Sequence, residues 1–359
     1  MPGSWQDLLL DTPLARLMDT LHAFEGSDFP LSVAATLVMQ SRPALLLELK
    51  RRVGSSTSLS ERQTLASLIG KYAKNVMGLE PPQTRMPNGS ETHSALTIAG
   101  KADGFGAQLM AQMSGIAYCR HHGRSYIHTP FQRVAHLEDL DGDATPEAMD
   151  AFGSLGFWSG QSSNLSDLDR ARVEIRPFCE EVAREPDVYF TADCRELLRR
   201  KHAQGTRQDF VTPACSSGPV VAVHIRRGDV TAEEHPSRFT DDDRYLDVIL
   251  PALAGIHHGA ALLIVSEGRA ESFASLVAAA DRLGFSSTEL RLGGDPRIAF
   301  CTLVDAGVLV IAKSAFSYAA ALLSRGVIYA DEVRRGRWGW HRPISDWKRL
   351  QSAVSQPCP

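Results

Sequence analysis

GPVVAVHIRRGDV, residues Gly218–Val230, decides how the chain is read. Its first half, VVAVHI, is short, rich in β-branched residues and lacks a regularly alternating polar face. Such a run fits a strand buried on both sides, as in a parallel sheet. It then stops abruptly in Arg226, Arg227, Gly228 and Asp229. In open parallel α/β sheets, ligands sit beyond the carboxyl ends of the strands. Two neighbouring guanidiniums repel unless an anion lies beside them, and the planar arginine fork suits phosphate oxygens. Asp229 is placed to pair with one arginine. His224, two residues before Arg226, faces the same side of the strand.

The same alternation continues on both sides of this stretch. After it come a helix in DDDRYLDVILPALAGI, a strand in AALLIVSEG, a helix in RAESFASLVAAADRLGF, a strand in AGVLVIAKSAFS, a helix in YAAALLSRG and a strand in VIYADE. Before it, ALTIAG reads as a strand, KADGFGAQ as a tight loop, LMAQMSGIAYCRHHG as a helix closing at Gly123, and SYIHTPF as a strand. Between the halves, DLDRARVEIRPFCEEVAREP reads as amphipathic and CRELLRRKHA as helical. Alternating strands and helices predict an α/β fold. Two such series predict two facing Rossmann-like domains with ligand between them. Residues 1–94 read as a helical extension and linker, 95–215 as the first domain, and 216–359 as the second with a C-terminal tail. The extension shows no chemistry and is read as a surface for a partner or for self-association.

The chain has 359 residues, enough for two domains or for one large α/β domain with an extension, and its 43% hydrophobic and 22% charged residues are ordinary for a soluble globular protein. A net charge of -4 lacks the basic surplus of a broad nucleic-acid footprint. No stretch approaches the length of a membrane span, and the start does not read as a secretory signal. The six cysteines form no CxxC pair, which predicts reduced thiols in a cytoplasmic protein and neither a zinc site nor a disulfide framework. The sequons at Asn88 and Asn164 are then without consequence.

Three further strand exits carry candidate chemistry. In GKADGFGAQ, Gly104 and Gly106 admit close backbone approach to a ligand, ahead of a helix N-terminus. In LLIVSEG, Ser266 offers a donor and Glu267 an acceptor. In VLVIAKSAFSYAAALL, Lys313 adds charge while Ser314 and Ser317 either cradle an anion or cap the helix.

Together these stretches resemble the fucosyltransferases that use GDP-fucose: bacterial α-1,2-fucosyltransferases and their α-1,6 and protein O-fucosyltransferase relatives. HIRRGD matches the H-x-R-R-G-D motif, GKADGFGAQ is similar to the family's glycine-rich loop, and KSAFSYAA to its serine-rich motif, over roughly residues 95–332. The resemblance implies a GT-B-like fold, an inverting transfer to a glycan hydroxyl, and no metal or other cofactor. It implies that Arg226 binds the donor's β-phosphate, with His224, Arg227 and Asp229 in support. Gly104, Gly106, Gln108, Ser266, Ser314, Phe316 and Ser317 fall on its donor-binding motifs. The family's acid falls near Phe300, so Asp295 stands in for it from a shifted loop. Ala107, Lys313, Ala315, Tyr318 and Ala319 depart from the pattern.

A diphosphate leaving group gains negative charge, which Arg226 is placed to meet. Asp103, Asp229, Glu233 and Glu267 are the candidate general bases. Other readings remain beside this one: a different nucleotide sugar on the same fold, or a non-catalytic module that binds nucleotide sugars or glycans. The D-x-D spacings in EDLDGD (138–143) and DDD (241–243) also suit a divalent cation. A solvated loop and a helix start account for them more simply. RRGRWGWHRP (334–343) reads as a packed C-terminal segment, a nucleic-acid contact or a sugar-stacking platform.

Overall fold

The computed structural model describes residues 94–137, 144–156, 159–161, 168, 172–205, 210, 219–331 and 342–350. Chain contacts separate Met1–Gln83 from Thr84–Pro359, and every described residue belongs to the second unit. The helical extension, the 138–143 loop, both sequons, Cys215, Cys358 and most of 334–343 lie outside the described residues.

Strands β1 (Ala95–Ile98), β2 (Ser125–His128), β3 (Gly160–Gln161) and β4 (Val173–Arg176) form one sheet, ordered β3-β2-β1-β4. Strands β5 (Val220–Ile225), β6 (Ala261–Ser266), β7 (Ser287–Leu292), β8 (Val308–Ile311), β9 (Val327–Asp331) and β10 (Lys348–Leu350) form the other, ordered β10-β9-β8-β5-β6-β7. Every strand pairing among the described residues is parallel. The connecting helices include α1 (Phe105–His122), α2 (Pro146–Gly153), α3 (Ala192–His202), α4 (Leu250–Ile256), α5 (Ala274–Arg282), α6 (Pro296–Asp305) and α7 (Ala315–Leu323). The α/β expectation holds, with two parallel Rossmann-like sheets. Among the described residues no helix is long and apolar enough to cross a membrane.

The strand order locates the binding crevice. From β5 the chain adds β6 and β7 on one side, then returns to add β8, β9 and β10 on the other. Read from β7, this is the dinucleotide-fold order, whose switch point lies between the first and fourth strands. Here those strands are β5 and β8, paired from Val221↔Val308 to Val223↔Val310. The first sheet switches in the same way between β1 and β4.

Helix α1 joins the two halves. Its sequence is apolar around most of its circumference, so it has no single core-facing stripe. Fourteen of its residues, from Phe105 to Cys119, are buried accordingly. It ends at Gly123, whose left-handed φ of 66° lets its N–H reach the Cys119 carbonyl. Phe105 at its start meets Phe152 of α2 at 5.8 Å and Phe300 of α6 at 5.5 Å, ring centre to ring centre. One core cluster therefore runs from Leu96 under the first sheet to Leu322 of α7, while a second, with Val223, Leu253, Ile264 and Leu276, lies under the second sheet. Arg199 of α3 completes the joint by donating to the terminal carbonyls Leu323 (3.1 Å) and Ser324 (2.8 Å) of α7.

Several elements differ from the sequence reading. VEIR, taken as part of an amphipathic stretch, is β4, and FGAQ, taken as loop, is the first turn of α1. STELRL forms the edge strand β7. The predicted helix over DDDRYLDVILPALAGI exists, but Tyr245–Ile249 within it is π-helical.

Candidate functional site

The carboxyl ends of both sheets open on one cleft of about 720 Å³. The first half supplies Lys101, Asp103 and Gly104 from the loop after β1, His136 from the loop after β2, and Phe178 beyond β4. The second half supplies His224, Arg226 and Asp229 after β5, Arg238 from the following loop, Glu267 after β6, and Lys313, Ser314 and Phe316 after β8. Helix α1 points its N-terminus here from Gly104, with no side chain capping it. Its free amides make that end receptive to an anion.

Arg226 stands where β5 ends. Its Nη2 pairs with Asp229 Oδ1 at 2.5 Å and its Nη1 with Glu267 Oε2 at 2.7 Å. A guanidinium carries five N–H donors, so three remain when both carboxylates are engaged. The two acids thus fix the guanidinium without exhausting it. Gly228 allows this packing: its φ is 75°, and a Cβ there would meet Glu267 Oε2 at 2.9 Å. Only glycine meets both conditions without strain.

His224 lies at the cleft floor, 5% exposed, with its ring 5.7 Å from that of Phe316. Its Nδ1 is buried without a hydrogen-bond partner among the described residues. Burial, reinforced by the Arg226 charge, pulls its pKa from 6.5 to about 3. The imidazole is therefore neutral at ordinary pH. The unfolded chain binds the proton more readily between those two values, so folding stability contributed by this site is lost as pH falls through them. Replacing His224 with Gln removes that dependence. Thermal midpoints between pH 7 and pH 4.5 should fall less in H224Q than in the parent; equal falls would contradict the burial argument.

Other predicted residues are committed elsewhere. Arg227, expected to bind donor, is not among the residues bordering the cleft: it pairs with Asp242 (2.5 Å), donates to the Thr240 carbonyl (2.9 Å) and lies 4.1 Å over the Phe239 ring. Gln108 is buried and donates to the Asp103 and Arg133 carbonyls, both at 2.6 Å, fixing the glycine loop from behind. Ser266 spends its hydroxyl on the Ile225 carbonyl (2.7 Å) although it borders the cleft. Asp295 caps α6 and pairs with Arg297 at 2.7 Å. Ser317 is fully buried, bonded to Ala312, whereas Ser314 caps α7 through the Phe316 N–H at 3.3 Å. Gly106 touches α7: a Cβ there would meet Phe316 Cα at 2.5 Å. Glu233 is exposed and does not border the cleft.

Of the two D-x-D spacings, 241–243 is described. Asp241 is the cap position of a helical turn and Asp242 holds Arg227. Among the described residues, no three His, Cys, Asp or Glu side chains converge as a metal set.

Sequence reasoning did not single out Lys101, His136, Phe178 or Arg238. His136 takes a left-handed φ of 66°, which no local motif announces. Arg238 lies among Glu233, Glu234, Asp241, Asp242 and Asp243, and its sign against that acidic background was the available signal.

No family model matches the sequence, and no curated protein matches it. Among solved structures, E. coli heptosyltransferase WaaC with ADP has a TM-score of 0.35 and 12% identity, over 71% of this chain and 92% of that one. The same enzyme with ADP-2-deoxy-2-fluoro heptose gives 0.34 and 13%, over 71% and 92%. POFUT1 in complex with GDP gives 0.34 and 11%, over 66% and 97%.

Proposed function

We propose that this chain is an inverting glycosyltransferase that moves fucose from GDP-fucose to a hydroxyl of a glycan acceptor, without a metal. The observation that carries the reading is Arg226, held between two carboxylates at the carboxyl end of β5 and facing the cleft at the strand-order switch point. The HIRRGD resemblance supports the choice of donor.

In this mechanism the bond between the fucose anomeric carbon and the diphosphate oxygen breaks, and its electron pair leaves with GDP. The transition state is oxocarbenium-like. Arg226 and the α1 N-terminus meet the growing charge on the departing diphosphate; preorganised electrostatics of this kind is usually the largest catalytic contribution. The acceptor oxygen attacks from the opposite face and gives up its proton. Asp229 and Glu267, 44% and 51% exposed, orient Arg226 on the diphosphate side, so the proton passes to a base on the acceptor side, a carboxylate or water. Asp103, paired with Lys101 at 2.5 Å, is a third carboxylate bordering the cleft.

A thermal-shift panel of nucleotides and nucleotide sugars tests the donor. GDP and GDP-fucose should raise the midpoint, EDTA should leave the shift unchanged, and UDP or dTDP sugars should have little effect. Preference for another base would move the reading to a different donor. Binding without hydrolysis or transfer across a glycan array would leave a non-catalytic module.

A further inference from the structure

We infer that Arg238 is a second diphosphate-binding cation of the cleft, and that Arg227 and Lys313 serve it by holding its loop. The inference rests on the proposed nucleotide-sugar reading. Among the described residues, four cations border the cleft: Lys101, Arg226, Arg238 and Lys313. Lys101 is paired with Asp103, Arg226 is shared by Asp229 and Glu267, and Lys313 donates to the Phe239 carbonyl at 3.0 Å. Among the described residues, the Arg238 guanidinium has neither an ion pair nor a side-chain hydrogen bond, although the residue is half-buried. Withdrawing a cation from water without a counter-ion is costly. An anion entering the cleft supplies the missing partner, and the arginine fork matches phosphate oxygens.

The loop around Arg238 is built to hold it in place. The His235 N–H donates to the Thr231 carbonyl at 3.0 Å, and the N–H groups of Arg238 and Phe239 both donate to the His235 carbonyl at 2.9 Å. The two carbonyls that follow Arg238 are each held by a cation from a strand end. Lys313, after β8, takes Phe239, and Arg227, after β5, takes Thr240 while stacking on the Phe239 ring. These two strands flank the switch point. Arg227 thus acts through Arg238 as a positioning residue, and the second cation expected from the sequence pair lies eleven residues further on.

Calorimetric titration of GDP and of inorganic pyrophosphate into the full chain tests this. Arg238→Ala should weaken both by about tenfold or more, the effect of losing a charge-assisted hydrogen bond. Arg238→Lys should recover part of it, with unchanged circular dichroism. Arg227→Ala on the Arg238→Ala background should cost no further affinity, since its effect passes through Arg238. Unchanged GDP and pyrophosphate affinity in Arg238→Ala would overturn the inference. So would a loss confined to GDP, which would put Arg238 on the nucleoside. If the parent binds pyrophosphate through Arg238 but not GDP, the donor reading fails and the diphosphate site stands. If it binds neither, both fall.

Discussion

Arg226→Ala should lower transfer from GDP-fucose by about 10²–10³-fold in kcat, the range found when a preorganised stabiliser of developing negative charge is removed. The loss should exceed that of one contact. Among the described residues, four cations and three carboxylates (Asp103, Asp229, Glu267) border the parent cleft; the variant is left with three of each. Asp229 and Glu267 would then face the diphosphate without their cation. Adding Glu267→Gln to Arg226→Ala should therefore recover part of donor affinity. The fold should survive, because both carboxylates are about half exposed and such pairs contribute at most about 1 kcal/mol. Steady-state rates with a melting control make the comparison. Full turnover by a folded Arg226→Ala protein would remove the mechanism.

Gly106→Ala should have the largest effect on stability. Its Cβ would lie 2.5 Å from the Cα of Phe316 and 2.8 Å from its backbone nitrogen. No side-chain rotation relieves that overlap, so α1 and α7 must separate. Overpacking of this kind costs about 1–3 kcal/mol and outweighs the roughly 0.5–1 kcal/mol that alanine gains over glycine in a helix. The shift also moves Phe316, which borders the cleft beside His224. A lower urea midpoint together with weaker GDP binding is the expected result. An unchanged midpoint would show that the helices do not meet at Gly106.

The strands that the sequence announced are those buried in mid-sheet. VVAVHI, LLIVS and VLVI are nearly unbroken apolar runs because both faces are covered, and each became a strand with buried residues throughout or nearly so. β4 and β7 were harder to read because VEIR and STELRL carry charges at sheet edges, where partly exposed side chains need not be apolar. The site was legible to the same degree. Arg226, His224, Asp229 and Glu267 meet at one cleft. Residue type alone did not say which way a polar side chain turns. Arg226 and Arg227 are neighbours just past β5, yet Arg226 borders the cleft while Arg227 is held by Asp242 and the Thr240 carbonyl. Ser266 and Gln108 likewise spend their donors on nearby carbonyls, Ile225 for the first and Asp103 and Arg133 for the second. Arg238 stayed hidden because its place depends on a loop held by residues from two different strand ends.

The most direct measurement is a crystal structure of the full chain with GDP. The diphosphate should lie in the cleft at the carboxyl ends of β5 and β8, within hydrogen-bonding distance of Arg226, with Asp229 and Glu267 still oriented toward that guanidinium. GDP bound away from this cleft, or in it with its phosphates turned from Arg226, would contradict the account.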